Sequence, residues 1–135
     1  MSGSARLYLA IGSGGALGSL ARWTASIAAL DLFGPGFPWG TLAVNVAGSL
    51  LIGFAYVLTG PGGRAPAGPA LRHFVMAGFC GGFTTFSMFS LETVLLLRQQ
   101  AWVAASAYVA SSLASWLAAA WIGSRIALRL NRAAG

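Results

Sequence analysis

Four apolar stretches, separated by clusters of glycine, proline and arginine, set the pattern of this chain. The first runs from about Arg6 to Leu30 and is uncharged from Leu7 to Ala21. Arg22 stands 16 residues after Arg6, about 24 Å along a helix, which puts it near the far interface, where a snorkelling side chain is an ordinary feature. Gly14, Gly15 and Gly18 give the small-xxx-small spacing that lets helix backbones approach closely in lipid. A dinucleotide-binding loop would need a preceding strand, and none is predicted. Asp31 to Trp39, with Gly34, Pro35, Gly36 and Pro38, reads as a turn. A second helix follows from about Gly40 to Thr59, with Trp39 suited to the interfacial belt. Thr41, Asn45 and Gly48/Ser49 fall on one face of it, and this small, polar face is predicted to meet protein or water. Gly60 to Pro69, containing Arg64, is a flexible connection.

Arg72 and Arg98 bracket the third stretch, about 39 Å long if helical, more than the roughly 30 Å hydrocarbon core requires. Gly78, Gly81, Gly82, Thr84 and Thr85 cluster at a depth of roughly 9–20 Å from Arg72. Such poor helix formers predict a break near the bilayer midplane. A break in lipid frees N–H and C=O groups that protein, ions or water must satisfy, and broken midplane helices characteristically build ion sites. The fourth helix, from about Trp102 to Ile126, carries Tyr108, Ser112 and Ser115 as a polar stripe and ends among Arg125, Arg129 and Arg132. Trp102, Trp116 and Trp121 read as belt or lipid-facing residues. No repeat of fixed period is visible.

Composition sharpens this pattern. The 135 residues are 57% hydrophobic and 7% charged, against about 25% charged in a soluble domain, which excludes an ordinary soluble globular protein and leaves one four-helix membrane domain, residues 1–135. The net charge of +6 comes from eight Arg set against Asp31 and Glu92. Arginines at segment ends suit anionic headgroups; a nucleic-acid surface would need a basic stripe with aromatic platforms, and no polar face offers one. The single cysteine, Cys80, permits no disulfide within the chain. Met1 to Arg6 lacks a signal-peptide pattern, so the first apolar segment is expected to be retained.

Three candidates for chemistry emerge. Asn45, midway along helix two, must find a partner because an unpaired amide in hydrocarbon costs several kcal/mol; a helix–helix hydrogen bond and a donor for an anion are both open readings. After the break, Phe86, Phe89 and Thr93 share a face, while Thr85, Met88 and Glu92 cluster on another. Paired rings are either packing or, presented edge-on, weak anion ligands, and a permeant anion needs contacts that let it leave as well as enter. Glu92 is the one carboxylate within a predicted span, either functional or solvated at the far interface. His73 reads as interfacial. Cys80, His73 and Glu92 have no spacing suited to a triad or a metal site, so an enzyme is not predicted.

Taken together, Gly14-Gly15 with Gly18 and Arg22, then Gly40-Thr41-Leu42-Ala43-Val44-Asn45, then Gly78-Phe79-Cys80-Gly81-Gly82-Phe83-Thr84-Thr85-Phe86-Ser87 resemble the bacterial fluoride channel family, Fluc or CrcB. The resemblance spans all four helices, and the third block is its most specific part. It implies an all-α membrane protein of four transmembrane helices, the third broken near the midplane, that exports fluoride passively from a bacterium across its inner membrane. The implied assembly is an antiparallel dual-topology homodimer with two pores along the subunit interface. Carried over by motif, Asn45 would donate to the anion, Phe86 and Phe89 would be its aromatic contacts, and Arg22 would sit in the vestibule. Ser87, Tyr108, Ser112 and Glu92 would form a polar track. The backbone carbonyls of Gly81 and Thr84 would hold a structural Na⁺.

Two features depart from the family pattern. Met88 stands where the family usually has Thr, removing one hydroxyl near the track. Arg6, Arg64, Arg72, Arg125, Arg129 and Arg132 lie on the terminal side, against Arg98 and Arg22 opposite, a bias that predicts termini inside where dual topology asks for near balance; paired, oppositely fixed subunits are the alternative. A proton-coupled exporter of small cations or drugs using Glu92 is the competing function, although such a carrier would be expected to keep its acid central, preferably in helix one. A packing subunit of a larger complex would explain the small-residue faces but not the break.

Overall fold

The structure, a computed structural model, describes residues 2–133, and all regular structure among them is helical. Helix α1 spans Gly3–Phe33. It begins at Ser2, whose Oγ accepts from the Ala5 N–H at 3.3 Å, a standard way to satisfy a free first-turn donor. It ends at Gly34, whose φ of 72° turns the chain out while its N–H still reaches the Leu30 carbonyl at 2.9 Å. The helix thus passes the expected end at Leu30, because no glycine or proline interrupts Asp31, Leu32 and Phe33.

Helix α2, Trp39–Leu58, matches the expected span to within a residue at each end. The third segment is continuous in path but changes pitch. It comprises α3, Pro69–His73, a π-helical stretch, Phe74–Cys80, a single turn α4, Gly81–Phe83, and then, after two extended residues, α5, Phe86–Arg98. Helix α6 covers Trp102–Arg132 and runs past the expected Ile126, since no breaker occurs before its end. Helix α2, the segment Pro69–Arg98 and α6 are long and apolar enough to cross a membrane, so the chain is a multi-pass membrane protein. Helix α1 has the length, about 46 Å, but is not among them; its glycines, serines and Arg22 dilute its apolar surface.

Two close helix pairings position the site. Helix α2 lies along α6 at Gly53 and Gly123, where a Cβ would run into the carbonyls of Ala120 and Leu50 respectively. Helix α1 lies along the π-helical stretch and α4 through Gly14 and Gly18, which face the backbone of Phe74–Phe83. Small residues are the usual means of such packing where lipid offers no hydrophobic drive. At one end, the Arg64 N–H donates to Asn131 Oδ1 at 2.9 Å, which ties the α2–α3 connection to the last turn of α6 and brings Arg64 beside the Arg129–Arg132 end.

Candidate functional site

The interruption is narrower than the sequence suggests. Gly78 is π-helical, Gly81 and Gly82 are α-helical, and only Thr84 (ψ 161°) and Thr85 (φ −154°, ψ 121°) are extended. The glycines serve approach to α1 instead: Cβ atoms on Gly78 and Gly82 would strike the Ile11 and Gly15 carbonyls. What makes the break is hydrogen bonding by three side chains. Thr84 Oγ1 and N–H both donate to the Cys80 carbonyl, at 2.8 and 2.9 Å, closing the upper helix. Thr85 Oγ1 accepts from the Met88 N–H at 3.2 Å and so caps α5. Asn45 grips the peptide between them, its Oδ1 accepting from the Thr85 N–H at 2.7 Å and its Nδ2 donating to the Thr85 carbonyl at 2.9 Å.

This arrangement diverts donors from the helical ladder. The Thr85 N–H would otherwise serve the Gly81 carbonyl, and the Met88 N–H that of Thr84; both are engaged elsewhere. The Gly82 carbonyl is met by Arg22 Nε at 3.1 Å. Arg22 is therefore not a snorkelling residue at a helix end, because α1 continues to Phe33 and the guanidinium turns inward to the break. Two carbonyl oxygens stripped of their helical donors form a donor set suited to a hard monovalent cation, so the residues expected to hold Na⁺ have the right chemistry.

Below the break a second group gathers. Glu92 accepts from Thr41 Oγ1 at 2.8 Å through Oε1 and from Tyr108 Oη at 2.7 Å through Oε2. Thr41 and Tyr108 are buried, so Glu92 is anchored across α2, α5 and α6 and is not merely solvated at an interface. Phe89, 7% exposed, packs on Tyr108 with centroids 5.2 Å apart, on Trp116 edge-on at 4.9 Å, and on Phe86 at 5.5 Å. Phe86 itself is 67% exposed. Ser87 Oγ lies 3.2 Å from Thr85 Oγ1, and Ser112 is fully buried with no partner for its Oγ among the described residues. Tyr108→Phe keeps the ring contacts and removes only the hydroxyl, so it is expected to cost about 1–3 kcal/mol, read as a lowered thermal midpoint in detergent.

Two cavities flank Thr85. One, of about 280 Å³, is lined by Asn45, Ser49, Gly81, Thr84, Phe86 and Trp116 among others. The other, of about 620 Å³, holds Arg22, Thr41, Met88 and Glu92. The polar face expected on α2 thus meets the third segment: Thr41 touches Glu92, Asn45 touches Thr85, and Gly48 closes on Thr84. Sequence reasoning missed Trp116, which turns toward Phe89 and is not a belt residue, and Phe37, whose ring meets Tyr108 edge-on at 5.4 Å. Position i+8 from Tyr108, on the stripe already identified, was the available signal for Trp116.

A helix interrupted inside an apolar bundle, with a buried amide holding the gap open and a cavity on each side carrying a few polar groups, is the architecture of a small membrane transport protein. The chain belongs to the CrcB family: it matches the family described as CrcB-like protein, Camphor Resistance (CrcB), over residues 9–124. It is 52% identical over 129 residues to the Fluoride-specific ion channel FluC 1 of Bradyrhizobium diazoefficiens, covering 96% of this chain and 89% of that one. It is 51% identical over 129 residues to the Fluoride-specific ion channel FluC of Opitutus terrae, covering 96% and 98%. To the Fluoride-specific ion channel FluC of Rhodospirillum rubrum it is 43% identical over 124 residues, covering 92% and 96%.

Proposed function

We propose that this protein is a fluoride-selective channel that lets the anion leave a bacterium passively across its inner membrane. The observation that carries the reading is the Asn45 clamp on Thr85. It opens a polar gap in an apolar segment and leaves the second Nδ2 hydrogen of Asn45 for an anion in the adjoining cavity. Relatives covering nearly the whole chain and named for fluoride supply the identity of that anion. Stripping a small anion bare costs tens of kcal/mol in a low-dielectric medium, so water must be exchanged stepwise for the Asn45 N–H, the hydroxyls of Ser87 and Ser112, and the positive ring edges of Phe86 and Phe89, and for the Tyr108 O–H only where it turns from Glu92. Arg22 and Glu92, both at the second cavity, set the field at its mouth.

The working form is an antiparallel, dual-topology homodimer of four-span subunits, with two pores at its interface. The exposed Phe86 beside the Asn45 cavity supports this, because a ring that is to line a pore needs a second wall. With Arg22 turned inward at the break, arginines at the two ends of the bundle stand six to one. Na⁺, held by the carbonyls of Gly81 and Thr84, would supply fixed positive charge where both helical ladders end.

The deciding measurement is fluoride efflux from proteoliposomes of the pure protein, with and without Na⁺ during preparation. Electrogenic fluoride flux with chloride excluded is expected; vesicles that retain fluoride, or pass chloride equally, refute the channel. Replacing Phe86 and Phe89 together by Ile keeps apolar bulk and removes the ring edges, so flux should fall at least about tenfold, as for loss of a 1.4 kcal/mol contact. No observation favours the exporter, since Glu92 has both oxygens engaged by hydroxyls.

A further inference from the structure

Trp116 carries one of the buried, unpartnered polar atoms among the described residues, and the ion path described above does not use it. Its Nε1 is buried with no hydrogen-bond partner, although indole N–H groups ordinarily find one when buried. The residue lines the 280 Å³ cavity together with Asn45, Thr84, Thr85 and Phe86, and its ring stands edge-on to Phe89 at 4.9 Å, with an interplanar angle of 75°. On α6 it continues the stripe of Tyr108 and Ser112 at the next i+4 step. Ser115, the other candidate for that step, is spent within its own helix, its Oγ donating to the Ser112 carbonyl at 3.1 Å. One turn before Trp116, the Ser112 Oγ is also unpartnered. An orphaned indole donor at a cavity whose other wall holds Asn45, with a second orphaned donor one turn away on the same helix face, calls for an acceptor that comes and goes.

We propose that the Trp116 indole N–H is an anion-binding donor of the pore wall, taking fluoride after Ser112 and sharing it with Asn45. The ring lines the cavity while its N–H lies buried beside it, and rotation about χ2 is the motion that would present the N–H to the anion. The indole N–H edge is a donor with no acceptor beside it, so that edge suits an anion, and its single N–H holds the ion less tightly than a charged group would. The assignment rests on the fluoride reading.

The test uses the whole protein, ¹⁵N-labelled at tryptophan, in detergent, with the Trp116 indole signal identified by its loss in Trp116→Phe. Sodium fluoride should move that signal downfield in a saturable way, and the same concentration of sodium chloride should leave it unmoved. In vesicles, Trp116→Phe should lower fluoride efflux about tenfold, the effect of one hydrogen bond to a charged group, while the four remaining indole signals report an intact fold. If none of the parent's five indole signals responds to fluoride, the proposal is overturned even when the variant does not fold, and a folded variant that conducts like its parent overturns it as well. A parent protein that passes no fluoride overturns the channel reading itself, which separates the two failures.

Discussion

Asn45→Ala is expected to abolish fluoride flux and to destabilise the protein more than any other single change at the site. The two effects have one cause. The Asn45 amide pairs both the N–H and the carbonyl of Thr85, at 2.7 and 2.9 Å, from a residue that is itself buried. Alanine leaves the Thr85 N–H unsatisfied in an apolar bundle, at about 1–3 kcal/mol, and takes from the Thr85 carbonyl, the N-cap carbonyl of α5, the second of its two donors. The local response available to the chain is to draw the Thr85 N–H back to the Gly81 carbonyl, which closes the helix over the gap and removes the polar crossing. Flux should therefore fall by more than about a hundredfold, the equivalent of 2.8 kcal/mol at the barrier, with a thermal midpoint lowered in detergent. Asn45→Asp should rescue neither property: it retains an acceptor for the Thr85 N–H, but it sets a second carboxylate oxygen against the Thr85 carbonyl, buries charge and loses the donor for the anion, so it is expected to be as silent in efflux and no better folded. An Asn45→Ala protein that conducts like its parent would remove the clamp from any account of the pathway.

The helices, the loops and the existence of an interruption were legible because each has a strong local cause: long apolar runs for the first, Gly–Pro clusters for the second, and poor helix formers deep in a span for the last. The register of the interruption was not. Glycine has two roles in a membrane helix, loosening the backbone and allowing close approach, and sequence alone does not tell them apart. Gly78, Gly81 and Gly82 stay helical, and Gly78 and Gly82 pack against α1, whereas the threonines, with side chains that compete for backbone partners, make the break. The π-helical pitch of Phe74–Cys80 has no sequence periodicity of its own, since it shifts hydrogen bonds without changing which residues are apolar. Asn45, Glu92 and Tyr108 could be singled out as polar residues in apolar surroundings, but their partners lie 40, 51 and 16 positions away in the chain. The interface reading of Arg22 fails for the same reason: spacing along α1 measures distance to an interface and carries no information about the Gly82 carbonyl beside it.

Gly18→Val should prevent assembly of the bundle altogether. Gly18 is buried, and a Cβ there would overlap the Phe79 carbonyl and crowd the Phe83 N–H at 2.8 Å. Both obstacles are backbone, so no rotamer change relieves them. The π-helical stretch and α1 would have to separate, and that separation also pulls Arg22, one turn further along the same helix, from the Gly82 carbonyl and exposes the break from behind. The loss should exceed the roughly 1–3 kcal/mol of ordinary overpacking, since the clash and the orphaned carbonyl come from the same displacement. The expected readout is aggregated or degraded protein on extraction, with no monodisperse peak in size-exclusion chromatography. Gly12→Val is the matched control: a Cβ at Gly12 meets nothing within 4 Å, and valine is favoured over glycine in a helix by about a few tenths of a kcal/mol. A folded, conducting Gly18→Val protein would show that α1 does not depend on close contact at Phe79–Phe83, and the glycine-mediated seating of the broken helix would have to be abandoned.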